Sequence, residues 1–274
     1  MASHSIQTRT DAYKCVIALN NIGVSLMERG AYLQAAQTFK EAVVALQLAM
    51  RVGLPLDFDE QHAVSLAAIH ESVRSAYQRV AKSVLSSVAT RTECLHAPEV
   101  SVRSISNDEW DPIVMKSILA DSEHSFFSNP LCIRIEPSTC GFEQELGDCE
   151  LNAAILLQNF GVAQMCLLAT TSIREKTCRY QSGAMKLFRI AHTILLQHRG
   201  VIEHNENDQL HTTLMITSAT TLNSLGQLLL LGNREEEASQ VSANLAALVD
   251  SVTETENLLG HEYYLKTSRS AAAA

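Results

Sequence analysis

One short pattern occurs three times in this chain: Leu19-Asn20-Asn21-Ile22-Gly23, Leu157-Gln158-Asn159-Phe160-Gly161 and Leu222-Asn223-Ser224-Leu225-Gly226. Each copy sets one or two polar side chains just ahead of a glycine within an apolar run. In the first copy Leu19, Ile22 and Leu26 recur at helical spacing, Gly30-Ala31-Tyr32 breaks the run, and Ala35, Phe39 and Ala42 restart it on one face. That outlines a helical hairpin. Gly23 and Ala35 carry little that would hold two helices apart, and Phe39 and Tyr32 fill the space beside them. Ala184, Phe188 and Ala191 repeat the second-helix positions, and Ala238 follows Gly226 by the same 12 residues that separate Ala35 from Gly23. The copies are not identical. Ala184 lies 23 residues after Gly161, so the second copy carries about eleven extra residues through Thr170 to Tyr180, which predicts an overlong first helix or a longer loop. In the third, Ser242 stands where the pattern calls for a Phe.

The rest of the sequence agrees with an all-α chain of about seven helices in antiparallel pairs, each burying its apolar face against its neighbours. Aromatics are only 5%, with 5 prolines and 11 glycines, and the long Ala-, Leu-, Ser- and Thr-rich segments lack strand-like alternation. A net charge of −9 argues against wrapping nucleic acid or lying on an anionic membrane, which both need clustered Lys and Arg. Seven cysteines, an odd number, read as reduced thiols and predict a cytoplasmic setting. The polar start Met1-Ala2-Ser3-His4-Ser5 and the lack of about 18 uninterrupted apolar residues predict neither a secretion signal nor a membrane span.

Along the chain the expected divisions are a flexible N-terminus (1–11), a hairpin plus a long helix (12–89), an irregular insertion (90–149), further hairpins (150–260) and a flexible tail (261–274). The long helix, about 60–89, presents Ile69, Val73, Tyr77, Val80, Val84 and Val88, with Arg74, Arg79 and Lys82 turned away. The insertion holds four of the five prolines (Pro98, Pro112, Pro130, Pro137). Within it Val100-Ser101-Val102-Arg103 and Cys132-Ile133-Arg134-Ile135 alternate apolar and polar residues and suggest a small β-ribbon. The expectation is order near Ile133 and mobility around 104–122.

The small, large and turn positions of the first hairpin resemble the tetratricopeptide repeat family in order and spacing. The resemblance implies that the first helix of each pair lines a concave surface holding a partner's peptide or helix. The matching positions are Asn20, Asn21 and Val24; Gln158, Asn159 and Val162; and Asn223, Ser224 and Gln227. A carboxamide both donates and accepts, so such a ladder suits the N–H and C=O groups of a peptide backbone, although it also suits hydrogen bonds between neighbouring helices. One version of this fold clamps a C-terminal carboxylate with Lys, Arg and two asparagines. Asn159 matches one of these, but Asn20, Val24, Thr220 and Ser224 occupy the other places, so an acidic tail is not the expected ligand. No Lys or Arg occurs from Ile135 to Ile173 or from Glu235 to Leu265, which reads either as a solvated acidic face or as a surface for a partner that is neutral or basic rather than acidic.

Chemistry finds little support. His124, Cys132, Cys140 and Cys149 cluster in the insertion, but their gaps do not match close Cys-x₂₋₄-Cys zinc knuckles. No nucleophile-elbow, phosphate-loop or dinucleotide motif is present. His70 beside Glu71 and the pair His192 and His198 read as exposed or capping residues, and Ser104, Ser106, Ser268 and Ser270 as chance matches to phosphorylation patterns. The expectation is a non-enzymatic adaptor without cofactor or metal, binding another protein's segment in its groove. The alternatives are a structural subunit that docks through the 90–149 insertion, and a metal protein or enzyme built on the insertion's thiols.

Overall fold

The computed structural model describes residues 2–51, 59–87, 100–105, 131–135, 142–202 and 208–258. Among them the chain forms helices α1 (Ala2–Glu28), α2 (Tyr32–Arg51), α3 (Asp59–Ser87), α4 (Phe142–Thr170), α5 (Arg174–Ile202), α6 (Asp208–Leu231) and α7 (Glu235–Leu258), with strands β1 (Ser101–Ile105) and β2 (Leu131–Ile135) between α3 and α4. The fold is predominantly helical. Consecutive helices pack as the pairs α1/α2, α4/α5 and α6/α7; α2 lies against α4 and α5 against α6, which joins the pairs into one stack. The long α3 returns to pack on α1 and α2.

Gly23 and Gly161 show why the pairs close so tightly. A Cβ placed on Gly23 would lie 2.5 Å from the Phe39 ring, and one on Gly161 would lie 2.5 Å from the Phe188 ring. Phe39 and Phe188 are fully buried, as are Ala35, Ala42, Ala184 and Ala191. The same glycine-under-aromatic contact therefore sets helix separation in two of the three hairpins. The first and third hairpins also turn alike. Gly30 (φ 69°) and Asn233 (φ 53°) take the left-handed conformation that ends a helix. In each turn the next amide reaches back to the last helical turn: Ala31 N–H to Leu26 O and Arg234 N–H to Leu229 O, both at 2.9 Å.

The additional residues of the second hairpin are divided between both helices, around a three-residue turn like that of the first hairpin. Nine helical residues follow Gly161 before the turn, against five after Gly23; ten separate the start of α5 from Ala184, against three from the start of α2 to Ala35. Additions of about one turn and two turns leave the buried faces in register.

Two outlines differ from the sequence expectation. α1 begins at Ala2 and α4 at Phe142, because no proline interrupts either run. On α3, Tyr77 is 60% exposed and the packed stripe is Ile69, Val73, Ala76, Val80 and Ser83. Arg79 turns inward: its Nε donates to Thr38 Oγ1 at 3.1 Å and its guanidinium pairs with Glu41. Val84 and Val88 lie outside the residues whose side chains are described.

By length and mean hydropathy alone, Cys149–Thr170 (1.5) and Thr213–Leu231 (1.3) match a membrane span, but 56% and 72% of these windows are buried inside the fold. Both windows belong to helices that pack on other helices throughout the stack.

Gly161→Ala should cost about 1–3 kcal/mol by overpacking, read as a lower urea midpoint, and shortening the opposing ring with Phe188→Leu should recover part of that loss. Simple additivity of the two losses would contradict this contact.

Candidate functional site: a backbone-reading groove

The two first helices that carry the Asn and Gln ladder, α1 and α4, both pack against β2. The groove predicted to hold a partner's peptide thus holds an extended segment of the chain itself. β2 is paired along one edge with β1 in parallel register, Ser101 opposite Leu131 through Ile105 opposite Ile135. Successive residues of a strand point their backbone groups to opposite edges, so the groups of Leu131, Ile133 and Ile135 share one edge. That edge meets the ladder.

Asn159 grips Ile133 with both ends of its carboxamide: Ile133 N–H donates to Oδ1 at 2.8 Å, and Nδ2 donates to Ile133 O at 2.7 Å. Asn21 grips Ile135 in the same way, at 2.9 Å for the N–H and 2.6 Å for the C=O. Asn20 Nδ2 adds a bond to Ile133 O at 3.2 Å, and Gln158 Nε2 donates to Leu131 O at 3.1 Å. Aligned on Gly23 and Gly161, Asn21 corresponds to Asn159 and Asn20 to Gln158. Each hairpin therefore reads the strand by the same rule, displaced by two residues: the first position takes a C=O, the second takes both groups of one residue.

The amides also support one another. Asn159 Nδ2 donates to Asn20 Oδ1 at 2.9 Å and Asn20 Nδ2 to Asn21 Oδ1 at 3.2 Å. Asn20, Gln158 and Asn159 are fully buried, where unpaired amides would be costly, and this network leaves one of their atoms unused. Gln158 Oε1 has no partner among the described residues.

The strand's side chains are buried too: Cys132 and Ile133 fully, Leu131 and Ile135 to 5% exposure. Arg134 pairs with Glu28 at the end of α1. Val24 and Val162, one turn on from Asn20 and Gln158, are fully buried. Asn223 and Ser224 are buried on α6, but every described hydrogen bond from the ladder to β2 comes from α1 and α4. Ser224 stands at the place of Asn21 and Asn159, and a single hydroxyl cannot span both groups of one residue.

Sequence reasoning identified the ladder and the extended character of residues 132–135 without joining them. The sequence holds an apolar alternating segment and a row of carboxamides, but nothing local that sets one against the other.

Cys132 and Cys166 behave as packed side chains. Burial pushes Cys132 well above the usual thiol range, with Cys166 beside it adding to the shift, and burial pushes Cys166 up to about 12. Cys15, Cys132, Cys149, Cys166 and Cys178 form no disulfide, and among the described residues no three metal-ligating side chains cluster. Cys140 and His124 lie outside them. Burial lowers the pKa of His192. His198 is buried with its Nδ1 3.3 Å from Glu150 Oε2.

Comparison with protein-family models, curated proteins and solved structures gives no match.

Two outcomes follow from the geometry. Asn159→Ala should lower stability by about 2–5 kcal/mol, because it strands buried groups of Ile133 and Asn20; Gln37→Ala, at an exposed pair with Glu41, should change it by under about 0.5 kcal/mol. Paired urea titrations decide this. The raised thiols give the second. Both folded pKa values exceed the unfolded value near 9, so their contribution is complete below about pH 9 and is lost as pH rises through the folded values, about 12 for Cys166. Thiol-reagent labelling at pH 8 should modify exposed Cys178 at once and reach Cys132 and Cys166 only on unfolding.

Proposed function

We propose that this protein is a non-enzymatic interaction scaffold of tetratricopeptide type, whose groove along the first helices recognises extended polypeptide by its backbone. The supporting observation is the two-pronged grip of Asn21 and Asn159 on the N–H and C=O of alternate residues of one strand. This is peptide recognition by strand-like hydrogen bonding, with side-chain pockets adding selectivity. The repeated glycine–phenylalanine contact, the matching turns and the packing of each second helix on the next first helix support the repeat assignment. A preorganised surface of this kind needs neither metal nor cofactor to bind a protein segment. The cysteine pattern is in keeping with a cytoplasmic setting, and the acidic balance with a neutral or basic partner.

A second reading, docking through the 90–149 insertion, draws on one observation: β2 belongs to that insertion and is seated in the groove. The groove and the insertion are then parts of one site.

Affinity capture from native extract with mass spectrometry separates the readings. An Asn21→Ala, Asn159→Ala, Asn223→Ala chain, shown by circular dichroism to be folded, should lose the dominant partner; an unchanged partner list would contradict recognition in the groove. Replacing residues 106–130 with Gly/Ser sequence of equal length, since parallel strands cannot be joined by a tight turn, should leave capture intact under the first reading and abolish it under the second.

A further inference from the structure

Resting on the groove reading above, we propose that β2 is an exchangeable occupant: the α1/α4 groove takes, in place of Leu131–Ile135, an extended segment of another protein with apolar residues at alternate positions and a cation before the last of them.

Three observations carry this. First, the ladder binds main-chain groups, which every polypeptide has, so the hydrogen bonds that hold β2 would hold any strand of the same direction. Selection must then come from side chains. The fully or nearly fully buried Leu131, Ile133 and Ile135 define three apolar places, Cys132 a small one, and Arg134 a cationic one opposite Glu28. That cationic place agrees with the acidic balance of the chain.

Second, the occupant leaves the site incompletely used. Gln158 is fully buried, yet only its Nε2 is engaged and its Oε1 lacks a partner among the described residues. At the next two rungs both ends of the carboxamide are engaged by a single residue. A segment able to turn a donor toward Gln158 Oε1 would fill the site better than β2 does. Third, the Arg134–Glu28 pair is partly exposed, at 30% and 42% of the two side chains. The cationic place is therefore open to solvent, while the apolar places are closed.

An attached strand competes as though present at millimolar concentration. The intact protein should therefore resist a free copy of its own segment and yield to a better one or to a partner with added contacts.

The test is fluorescence anisotropy with a labelled peptide spanning Asn129 to Pro137, with Ala in place of Cys132. It is titrated with the wild-type chain and with an Ile133→Pro chain, which lacks the N–H that Asn159 accepts. The vacated chain should bind at least about ten-fold tighter than wild type, whose own strand competes. A Pro130→Ala peptide, freer to present Leu131 N–H to Gln158, should bind tighter still. An Arg134→Glu peptide, facing Glu28, should bind several-fold more weakly, and an Ile133→Pro peptide not at all. If the Ile133→Pro chain is unfolded, the native peptide should restore its helical circular dichroism on co-refolding.

A folded vacated chain that does not bind saturably, or an unfolded one that the peptide does not rescue, overturns the proposal and makes β2 a permanent part of the core. A wild-type dimer dissolved by the peptide would assign the groove to a second copy, which also overturns it. Partner capture by the wild-type chain is independent of these peptide results, so failure of exchange and failure of the scaffold reading are distinguishable.

Discussion

The structure depends on a row of side-chain amides taking the place of a neighbouring β-strand. With β1 paired along only one edge, β2 would present the backbone groups of its other edge unpaired to the helices, and in a buried groove each such group costs about 1–3 kcal/mol. Asn21 and Asn159 remove that cost by offering a donor and an acceptor at the spacing of one residue's N–H and C=O. Their placement in turn requires α1 and α4 to lie side by side at a fixed separation. The packing of Phe39 over Gly23 and Phe188 over Gly161 fixes each helix in its pair, and α2 against α4 fixes the pairs.

Magnitudes show why the amides, not the apolar contacts, decide whether the strand stays. Leu131, Cys132, Ile133 and Ile135 are buried, at roughly 1.5–3 kcal/mol for each large side chain. Ordering the five residues of β2 costs about 1–2 kcal/mol each in backbone freedom. The two nearly cancel. What remains is whether the edge groups are satisfied, and at Ile133 and Ile135 they are, whereas the Gln158 rung is half used. A balance of this kind holds a strand in place without making it irreplaceable.

Much of the scaffold was legible in the sequence because it is written in local periodicity. The Gly23 and Phe39 positions, their counterparts Gly161 and Phe188, and the polar pairs ahead of each glycine all declared themselves within about 40 residues. The eleven extra residues of the second hairpin were visible as a number, but not as extensions of both helices, since three helical turns can be added anywhere without shifting a face. On α3, counting Tyr77 as apolar and Arg79 as exposed moved the stripe by one residue. The tyrosine can keep its ring at the surface, while Glu41 and Thr38 make a half-buried arginine favourable. The occupant of the groove was not legible. Its contacts with Asn20 and Asn21 span 113 and 114 residues, and alternation shows that a segment is extended without showing what it lies against.

Amide hydrogen exchange at single-residue resolution tests the central claim most directly. If β2 is held by the ladder, the N–H groups of Ile133 and Ile135 exchange as slowly as those in the buried middle of α1 and α4, and Asn159→Ala speeds Ile133 selectively. Exchange of both amides at free-peptide rates in the wild-type protein would contradict the account, leaving the carboxamides as packing between helices.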